Sequence, residues 1–339
     1  MVWLCMVLPA ALVSAEGIGS YEVIVFAGTD EEIIARLKDE NWWGEEDRDE
    51  QLVVPRLMIT GISPRWQKRA SALPVAEKKE LFYRLMLPLV MHANAMVLDR
   101  RERLKGYARR LEDGNALGAT DMEWLRGFAV MFNILKAEQA ARLGPSDAAW
   151  LGVLEEGLYR LDVIPAGLVL GQAAYESGYG TSRFATEGNA LFGQWTYGGE
   201  GLIPRRQRSD LGDHRIAAYE WPFDSVRSYF INLSSHPAYE EFRRLRAELK
   251  ATGEPIGSLV LADGLKRYSE RGEAYVETLK GIIRTNGLDI ADRAVLREEA
   301  IRFLVGADDE KEAESIRGDI EAAKASGELD AIVARMKLE

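Results

Sequence analysis

One glutamate in this sequence lies where general acid catalysis would need it. Glu176 follows Leu168 and Gln172 at helical spacing, so the pattern predicts that all three lie on one face of a mostly apolar helix. Gly178 and Gly180 come directly afterwards, and glycine readily takes the positive φ that ends a helix. The sequence therefore predicts a carboxyl group in the last turn of an apolar helix.

The environment predicted for Glu176 disfavours its charged form in two ways. Desolvation raises the pKa of a carboxyl group, and the negative end of the helix dipole acts in the same direction. A carboxylic acid that stays protonated near neutral pH is the proton donor that cleavage of a glycosidic bond requires. Helix position alone favours a different interpretation, in which the side chain extends into solvent, because glutamate is rarely buried without a task.

The elements around Glu176 are mostly helical in pattern. Pro165 suits the first position of its helix, where the missing N–H costs no hydrogen bond. Residues 54–158 have the spacing of amphipathic helices, with capping signals such as Thr120 and Glu123. After Trp195 the helical pattern fails, and residues 202–219 predict a β-hairpin or a small antiparallel sheet.

Two blocks of residues around Glu176 carry a family resemblance. The first block consists of Ala173, Glu176, Ser177, Gly180 and Ser182, and the second of Asn189, Leu191, Phe192 and Gly193. Together they resemble the glucosaminidases of glycoside hydrolase family 73, and most closely their Bax-type branch, whose pattern runs A-x-x-E-S-x-x-G-x-S and then N-N-L-F-G. Ala190 replaces the second Asn of that pattern, and Tyr179 stands where Trp is common. The resemblance extends over residues 52–290.

The resemblance implies a fold and a chemistry. The fold is α+β and predominantly α-helical, a lysozyme-like catalytic domain with a small β-hairpin beside the substrate cleft. Glu176 is then the general acid, and Glu200, ahead of the Asp210 and Asp213 alternatives, is the predicted second catalytic carboxylate on the hairpin. If the bond cut follows N-acetylglucosamine, the acetamido oxygen of the substrate could act as nucleophile and no second carboxylate would be required.

The same comparison yields a set of predicted substrate-binding residues. Six lie in or beside the two blocks, and three tyrosines lie further along the chain: Ser177, Ser182, Asn189, Phe192, Gln194, Trp195, Tyr239, Tyr268 and Tyr275. Tyrosines with buried rings and hydrated hydroxyls are also ordinary structural residues, so both roles stay open for the last three.

These residues lead to one preferred function and two alternatives. The preferred function is a peptidoglycan hydrolase, an endo-β-N-acetylglucosaminidase that cleaves the glycan backbone and has peptidoglycan glycan strands as its partner. An N-acetylmuramidase or lytic transglycosylase on the same fold is the second hypothesis. The third is a non-catalytic cell-wall-binding or scaffold protein, supported by Ala190 and by the unassigned second carboxylate.

Composition excludes several other classes. The net charge of −11 over 339 residues argues against nucleic-acid binding by the chain as a whole. There are three histidines and one cysteine, with no HExxH or CxxC spacing, so we expect no dedicated metal site and no cofactor. Protein partners are not indicated by any pattern.

The chain divides into five predicted segments. Residues 1–15 are uncharged and apolar and predict a signal peptide, hence a periplasmic or exported protein of the cell envelope, although a positive n-region is missing and a buried segment of the mature fold is the alternative. Residues 16–51 predict a short strand, a helix opened by Thr29 and Glu32, and an acidic linker. A helical N-terminal region (52–145), the glucosaminidase domain (146–290) and a helical C-terminal extension (291–339) follow.

Overall fold

A computed structural model of the chain describes residues 21–39, 52–196, 201–204 and 215–335. Its described part is α+β and predominantly helical, which confirms the expected fold class. The helices are α1 (Asp30–Asp39), α2 (Pro64–Arg69), α3 (Val75–Glu112), α4 (Ala119–Met131), α5 (Ala137–Arg142), α6 (Ala149–Arg160), α7 (Ala166–Ser177), α8 (Arg183–Gly188), α9 (Pro222–Ser235), α10 (Glu240–Thr252), α11 (Ser258–Leu261), α12 (Glu273–Thr285), α13 (Glu310–Ser326) and α14 (Glu328–Arg335). The strands are β1 (Tyr21–Phe26), β2 (Val53–Val54), β3 (Leu57–Ile59), β4 (Trp195–Thr196), β5 (Gly201–Leu202), β6 (Arg215–Ala217), β7 (Val295–Leu296) and β8 (Ile301–Gly306).

Helix α3 is the longest element of the described chain and lies at the centre of the fold. It has 38 residues and contacts α6, α7 and α9. One 18-residue window of α3 is apolar enough to cross a membrane by length and composition, but 61% of that window is buried inside the protein. That burial is what the core helix of a water-soluble domain shows.

Helix α7, which carries Glu176, is almost entirely buried and is fixed at its N-terminal end. Asn94 of α3 accepts from the N–H of Ile164 at 2.9 Å and donates to its carbonyl at 2.8 Å. A carboxylate oxygen of Asp292 accepts from the N–H of Gly167 at 3.0 Å. Gly167 must be glycine, since a Cβ there would lie 2.3 Å from the carbonyl oxygen of Leu288.

A small antiparallel sheet follows the second motif block, as predicted. The strand order is β4-β6-β5, with Trp195 opposite Ile216 and Gly201 opposite Ala217. The sheet packs against α8, and a Cβ on Gly188 would come within 2.9 Å of the Leu202 side chain. The expected hairpin is therefore present, with three short strands.

The C-terminal segment differs from the prediction. Two helices, α13 and α14, do form, but they are preceded by β8, which is the middle strand of a parallel sheet ordered β1-β8-β3. Phe303 of β8 lies opposite Val23 of β1 and Met58 of β3. The description of residues 291–339 as a helical extension is therefore wrong, because strand β8 of this segment pairs with two strands near the start of the described chain.

The strand and helix predicted near residues 21–38 are both present. Strand β1 spans Tyr21–Phe26, and the capping box forms, with the Thr29 N–H donating to Glu32 at 2.7 Å and the Glu32 N–H donating to Thr29 at 3.2 Å. The predicted signal peptide and the acidic linker lie outside the described residues.

Candidate active site

Glu176 lies in the last turn of α7, directly before a turn of unusual backbone geometry. Gly178, Tyr179 and Gly180 have φ values of 59°, 60° and 74°, all in the left-handed region. Tyr179 accepts a hydrogen bond on its carbonyl oxygen from the indole Nε1 of Trp66 at 2.9 Å. A left-handed conformation costs a non-glycine residue roughly 1–2 kcal/mol, so the surrounding contacts must hold Tyr179 in place.

Ser177 stabilises this turn instead of facing the cleft. Its hydroxyl is fully buried, accepts from the Gly180 N–H at 2.8 Å and donates to the carbonyl of Ala173 at 2.5 Å. Both hydrogen-bonding directions of the hydroxyl are thus occupied. The prediction that Ser177 contacts substrate is corrected by this position.

The Glu176 carboxyl is half-buried and has one hydrogen-bond donor among the residues that the structure describes. The Tyr275 hydroxyl donates to its Oε1 at 2.9 Å. Burial raises the pKa of Glu176, and the Tyr275 hydrogen bond opposes that effect because it favours the charged form. The net shift is upward, so the protonated acid persists at higher pH than for an exposed glutamate.

A buried amide fixes the direction of the Tyr275 hydrogen bond. Gln172, one turn before Glu176, has no exposed surface. Its Nε2 donates to the Tyr275 oxygen at 2.8 Å, and its Oε1 accepts from the hydroxyl of Tyr229. Since the Tyr275 oxygen already accepts from Gln172, its own hydrogen is directed to Glu176.

Four tyrosines from three parts of the chain surround the acid. The Tyr268 and Tyr275 rings stack at 5.6 Å, and Tyr239 and Tyr229 lie 5.9 Å and 6.4 Å from Tyr268 between ring centroids. Burial raises the pKa of all four phenols, and the charge of Glu176 raises it further. The hydroxyls are therefore neutral hydrogen-bond donors. The predicted Tyr239, Tyr268 and Tyr275 are brought together beside Glu176.

Three other predicted site residues hold the second motif block in place. Asn189 accepts from the Ile62 N–H at 2.9 Å and donates to the Glu220 carbonyl at 2.9 Å. Phe192 is buried, with its ring stacked 4.2 Å from that of Tyr229. Ser182 caps α8 by accepting from the Ala185 N–H at 3.2 Å. Their side chains thus have structural roles, and direct contact of these residues with substrate stays a prediction.

Gln194 and Trp195 differ from one another in exposure. The Gln194 amide is occupied on both sides, accepting from Tyr219 at 2.8 Å and donating to the Ser228 carbonyl at 3.2 Å. Trp195 of β4 is 47% exposed. An exposed indole at the edge of this region keeps the surface that a sugar ring can stack on, so Trp195 stays a predicted substrate contact.

Comparison with known proteins agrees with the motif blocks. Residues 155–288 match the family described as mannosyl-glycoprotein endo-beta-N-acetylglucosaminidase. The chain is also 28% identical over 223 residues, 66% of its length and 74% of the relative, to protein bax of Escherichia coli strain K12. The chain carries a Bax-type glucosaminidase-like domain. No solved structure matches the chain.

The glucosaminidase-like domain contains the whole tyrosine cluster and both motif blocks. Its family supports a glycoside hydrolase with a peptidoglycan-related glycan as substrate. Glu176 and Tyr275 both lie inside the matched residues 155–288, whereas strands β1, β3 and β8 lie outside them.

Sequence reasoning missed three residues of the glucosaminidase-like domain that the structure brings to the site. The helical spacing of Gln172 predicts the face on which it lies but not its partners, although a buried amide four residues before the acid indicates a polar network. Tyr229 lies in α9, and no local pattern links it to α7. Tyr175 is 36% exposed and precedes Glu176 directly, but its position off the apolar stripe gives no indication that it lies at the site.

The three carboxylates considered for the hairpin, Glu200, Asp210 and Asp213, lie outside the described residues. Within the described ranges, no group of three or more His, Cys, Asp or Glu side chains could hold a metal ion.

Two cavities of about 570 Å³ and 450 Å³ are lined by residues other than Glu176.

Proposed function

We propose that this protein is an endo-β-N-acetylglucosaminidase that cleaves the glycan backbone of peptidoglycan, with Glu176 as the general acid. The observation that carries the proposal is the environment of Glu176, a half-buried carboxyl with a raised pKa and a directed hydrogen-bond donor, Tyr275. Such a group keeps its proton to a higher pH than an exposed glutamate and has a fixed orientation, and both favour protonation of a leaving oxygen.

The contacts of Glu176 stabilise both protonation states of its carboxyl group. Burial favours the protonated carboxyl before the reaction, and the Tyr275 hydroxyl stabilises the carboxylate that remains once the proton has moved to the glycosidic oxygen. Gln172 keeps Tyr275 oriented as a donor throughout this step. Glu176 thus acts as a proton donor whose conjugate base has a hydrogen bond ready.

The second catalytic group is either a carboxylate of the hairpin or the substrate itself. Glu200 directly precedes β5 in the chain, which keeps it the proposed carboxylate. Substrate assistance by the acetamido group needs no second carboxylate and fits a site in which burial and Tyr275 are the causes of the Glu176 pKa shift. Glu200→Gln separates the two: loss of activity supports the carboxylate, and full retention supports the acetamido group.

A peptidoglycan substrate requires that the protein leave the cytoplasm. The apolar residues 1–15 are the proposed export signal, with Val13-Ser14-Ala15 as the cleavage site. N-terminal sequencing of the protein recovered from the periplasmic fraction tests this. A mature chain that begins near Glu16 supports export, and an intact Met1 in the cytoplasmic fraction contradicts it.

Analysis of the products tests the bond specificity. Purified sacculi are digested, the new reducing ends are reduced with borohydride, and the fragments are identified by mass spectrometry. A reduced N-acetylglucosamine end supports the proposal. Reduced N-acetylmuramic acid would show a muramidase, an anhydro-muramic end would show a lytic transglycosylase, and binding to sacculi without soluble fragments would show a wall-binding protein.

A further inference from the structure

Arg271, in the turn before α12, has a guanidinium group held only by neutral oxygens. It donates to the Tyr175 hydroxyl at 2.5 Å and to the Thr278 hydroxyl at 3.2 Å. Within the described part of the chain no carboxylate lies within ion-pair distance of it. The side chain is exposed, so the positive charge faces the surface.

Two lysines near Arg271 in the chain are paired with carboxylates, unlike Arg271. Lys266 lies 3.3 Å from Glu273, and Lys280 lies 2.6 Å from Asp263. An acidic protein with a net charge of −11 has ample carboxylates for such pairs. Arg271 is positioned by hydroxyls, which orient the guanidinium without neutralising it.

The position of Arg271 relates it to the proposed acid. The Tyr175 ring, which Arg271 contacts, lies edge-on to that of Tyr275 with 5.7 Å between centroids. Tyr275 in turn donates to Glu176. The guanidinium therefore lies at the exposed border of the same aromatic cluster as the acid.

We propose that Arg271, oriented by Tyr175, is a subsite for a carboxylate carried by the substrate. This inference rests on the proposed function, since the peptides of peptidoglycan strands carry free carboxylates, and the lactyl ether carries one wherever no peptide is joined to it. A guanidinium offers five N–H donors in a planar fork that matches a carboxylate, and only two of these donors have a partner in the described residues. The site would thus favour acidic, substituted glycan over neutral glycan.

The test compares one set of soluble glycan strands before and after their carboxylates are converted to methylamides. We expect amidation to lower kcat/KM of the unaltered enzyme about tenfold, the size of one charge-assisted contact. For Arg271→Ala, kcat/KM on native strands should already be about tenfold lower, and amidation should then change it less than twofold. Arg271→Lys keeps the charge without the fork and should retain part of the preference.

Two further arms sharpen the test. Arg267→Ala removes an exposed arginine of the same turn and should keep the full tenfold response to amidation. An amidase that hydrolyses the lactyl–peptide bond removes the peptide carboxylates and frees a lactyl carboxylate in their place. A response to amidation on these strands shows that Arg271 accepts the lactyl carboxylate, and a lost response shows that it needs a carboxylate of the peptide.

The proposal is overturned if Arg271→Ala responds to amidation as strongly as the unaltered enzyme, or if it loses the same activity on both substrates. Tyr175→Phe gives an independent check, because it keeps the ring and removes the hydroxyl that orients the guanidinium. It should weaken the preference. Failure of the proposed function has a different signature, namely no cleavage of either kind of strand by the unaltered enzyme.

Discussion

The protonation of Glu176 depends on two opposing contacts. Burial raises its pKa, whereas the Tyr275 hydroxyl lowers it by hydrogen bonding to the carboxylate. A general acid is active when protonated, so activity must fall as the pH rises through this pKa. The position of that alkaline limb therefore reports directly on both contacts.

Tyr275→Phe should move the alkaline limb of kcat/KM to higher pH. The change removes the hydrogen bond that favours the carboxylate, so the pKa of Glu176 rises while the ring stays in place. A pH-rate profile measures the shift. Tyr268→Phe is the control, because its hydroxyl donates to the Phe192 carbonyl and not to Glu176. A limb that moves to lower pH in Tyr275→Phe would refute this account of the acid.

Gln172→Leu should also move the alkaline limb of kcat/KM to higher pH, and this effect should depend on the Tyr275 hydroxyl. Without the amide donor, the Tyr275 oxygen can accept a hydrogen from the protonated carboxyl, which stabilises the acid form and raises the pKa of Glu176. The same substitution in a Tyr275→Phe background should add no shift. Equal shifts in both backgrounds would show that Gln172 acts on Glu176 by another route.

At the scale of single residues, sequence predicted the acid better than its surroundings. The spacing that places Glu176 on the stripe of α7 is local, and the structure agrees with it. Sequence alone predicts substrate contact for Ser177, because residue type does not distinguish a side chain that holds a turn from one that contacts sugar. Tyr275 is 99 residues from Glu176, and its hydrogen bond follows from tertiary packing that no local pattern encodes.

The helix that carries the acid is fixed by polar contacts at its N-terminal end. Asp292, in a 3₁₀ helix at Leu288–Arg293, accepts from the Gly167 N–H of α7. The same carboxylate accepts from the N–H of Ser258 at 2.7 Å and from its hydroxyl at 2.5 Å. One carboxylate thus caps both α7 and α11, which otherwise present unsatisfied N–H groups to the interior.

Asp292→Ala should destabilise the fold by about 2–3 kcal/mol, because it removes a cap shared by two helices and leaves half-buried donors without an acceptor. Urea unfolding followed by circular dichroism measures the change. Asp289→Ala, an exposed carboxylate of the same 3₁₀ helix, should change stability by less than about 0.5 kcal/mol. Equal effects of the two substitutions would contradict the capping role.

At the scale of elements, the helical character of most of residues 54–158 was predicted, whereas the buried strands β3 and β8 were missed. The start of α7 differs by a single residue, since Pro165 precedes the helix as its cap. Strand β8 reads Ile-Arg-Phe-Leu-Val-Gly, and residues on both of its faces, Phe303 and Leu304, are buried. A short apolar run without alternation looks the same in a buried helix and in a parallel strand, so periodicity could not separate them.

At the scale of the whole molecule, strands near the start of the described chain pair with a strand near its end. Strand β8 lies between β1 and β3, and the Phe303 ring contacts both Tyr21 at 6.1 Å and Trp221 at 5.5 Å between centroids. Trp221 directly precedes α9, which carries Tyr229 of the site. The parallel sheet therefore packs against the element that orients Gln172.

Phe303→Ala should cost about 3–5 kcal/mol of folding free energy, because the ring is almost fully buried and leaves a large cavity. Phe303→Leu should cost less than about 2 kcal/mol, since most of the volume is kept. Thermal unfolding of the two variants measures the difference. If both behave like the unaltered protein, the C-terminal strand does not contribute to the folded core as described.

The most direct test of the acid is Glu176→Gln, assayed by release of soluble fragments from purified sacculi. Glutamine keeps the shape of the side chain and an oxygen that accepts from the Tyr275 hydroxyl. Its amide is too weak an acid to donate a proton to the leaving oxygen. We expect release to fall at least about 100-fold, the usual contribution of general acid catalysis, with an unchanged circular dichroism spectrum and a melting temperature no lower than that of the unaltered protein. A folded Glu176→Gln protein that keeps more than about a tenth of the activity would contradict the assignment of Glu176 as the proton donor.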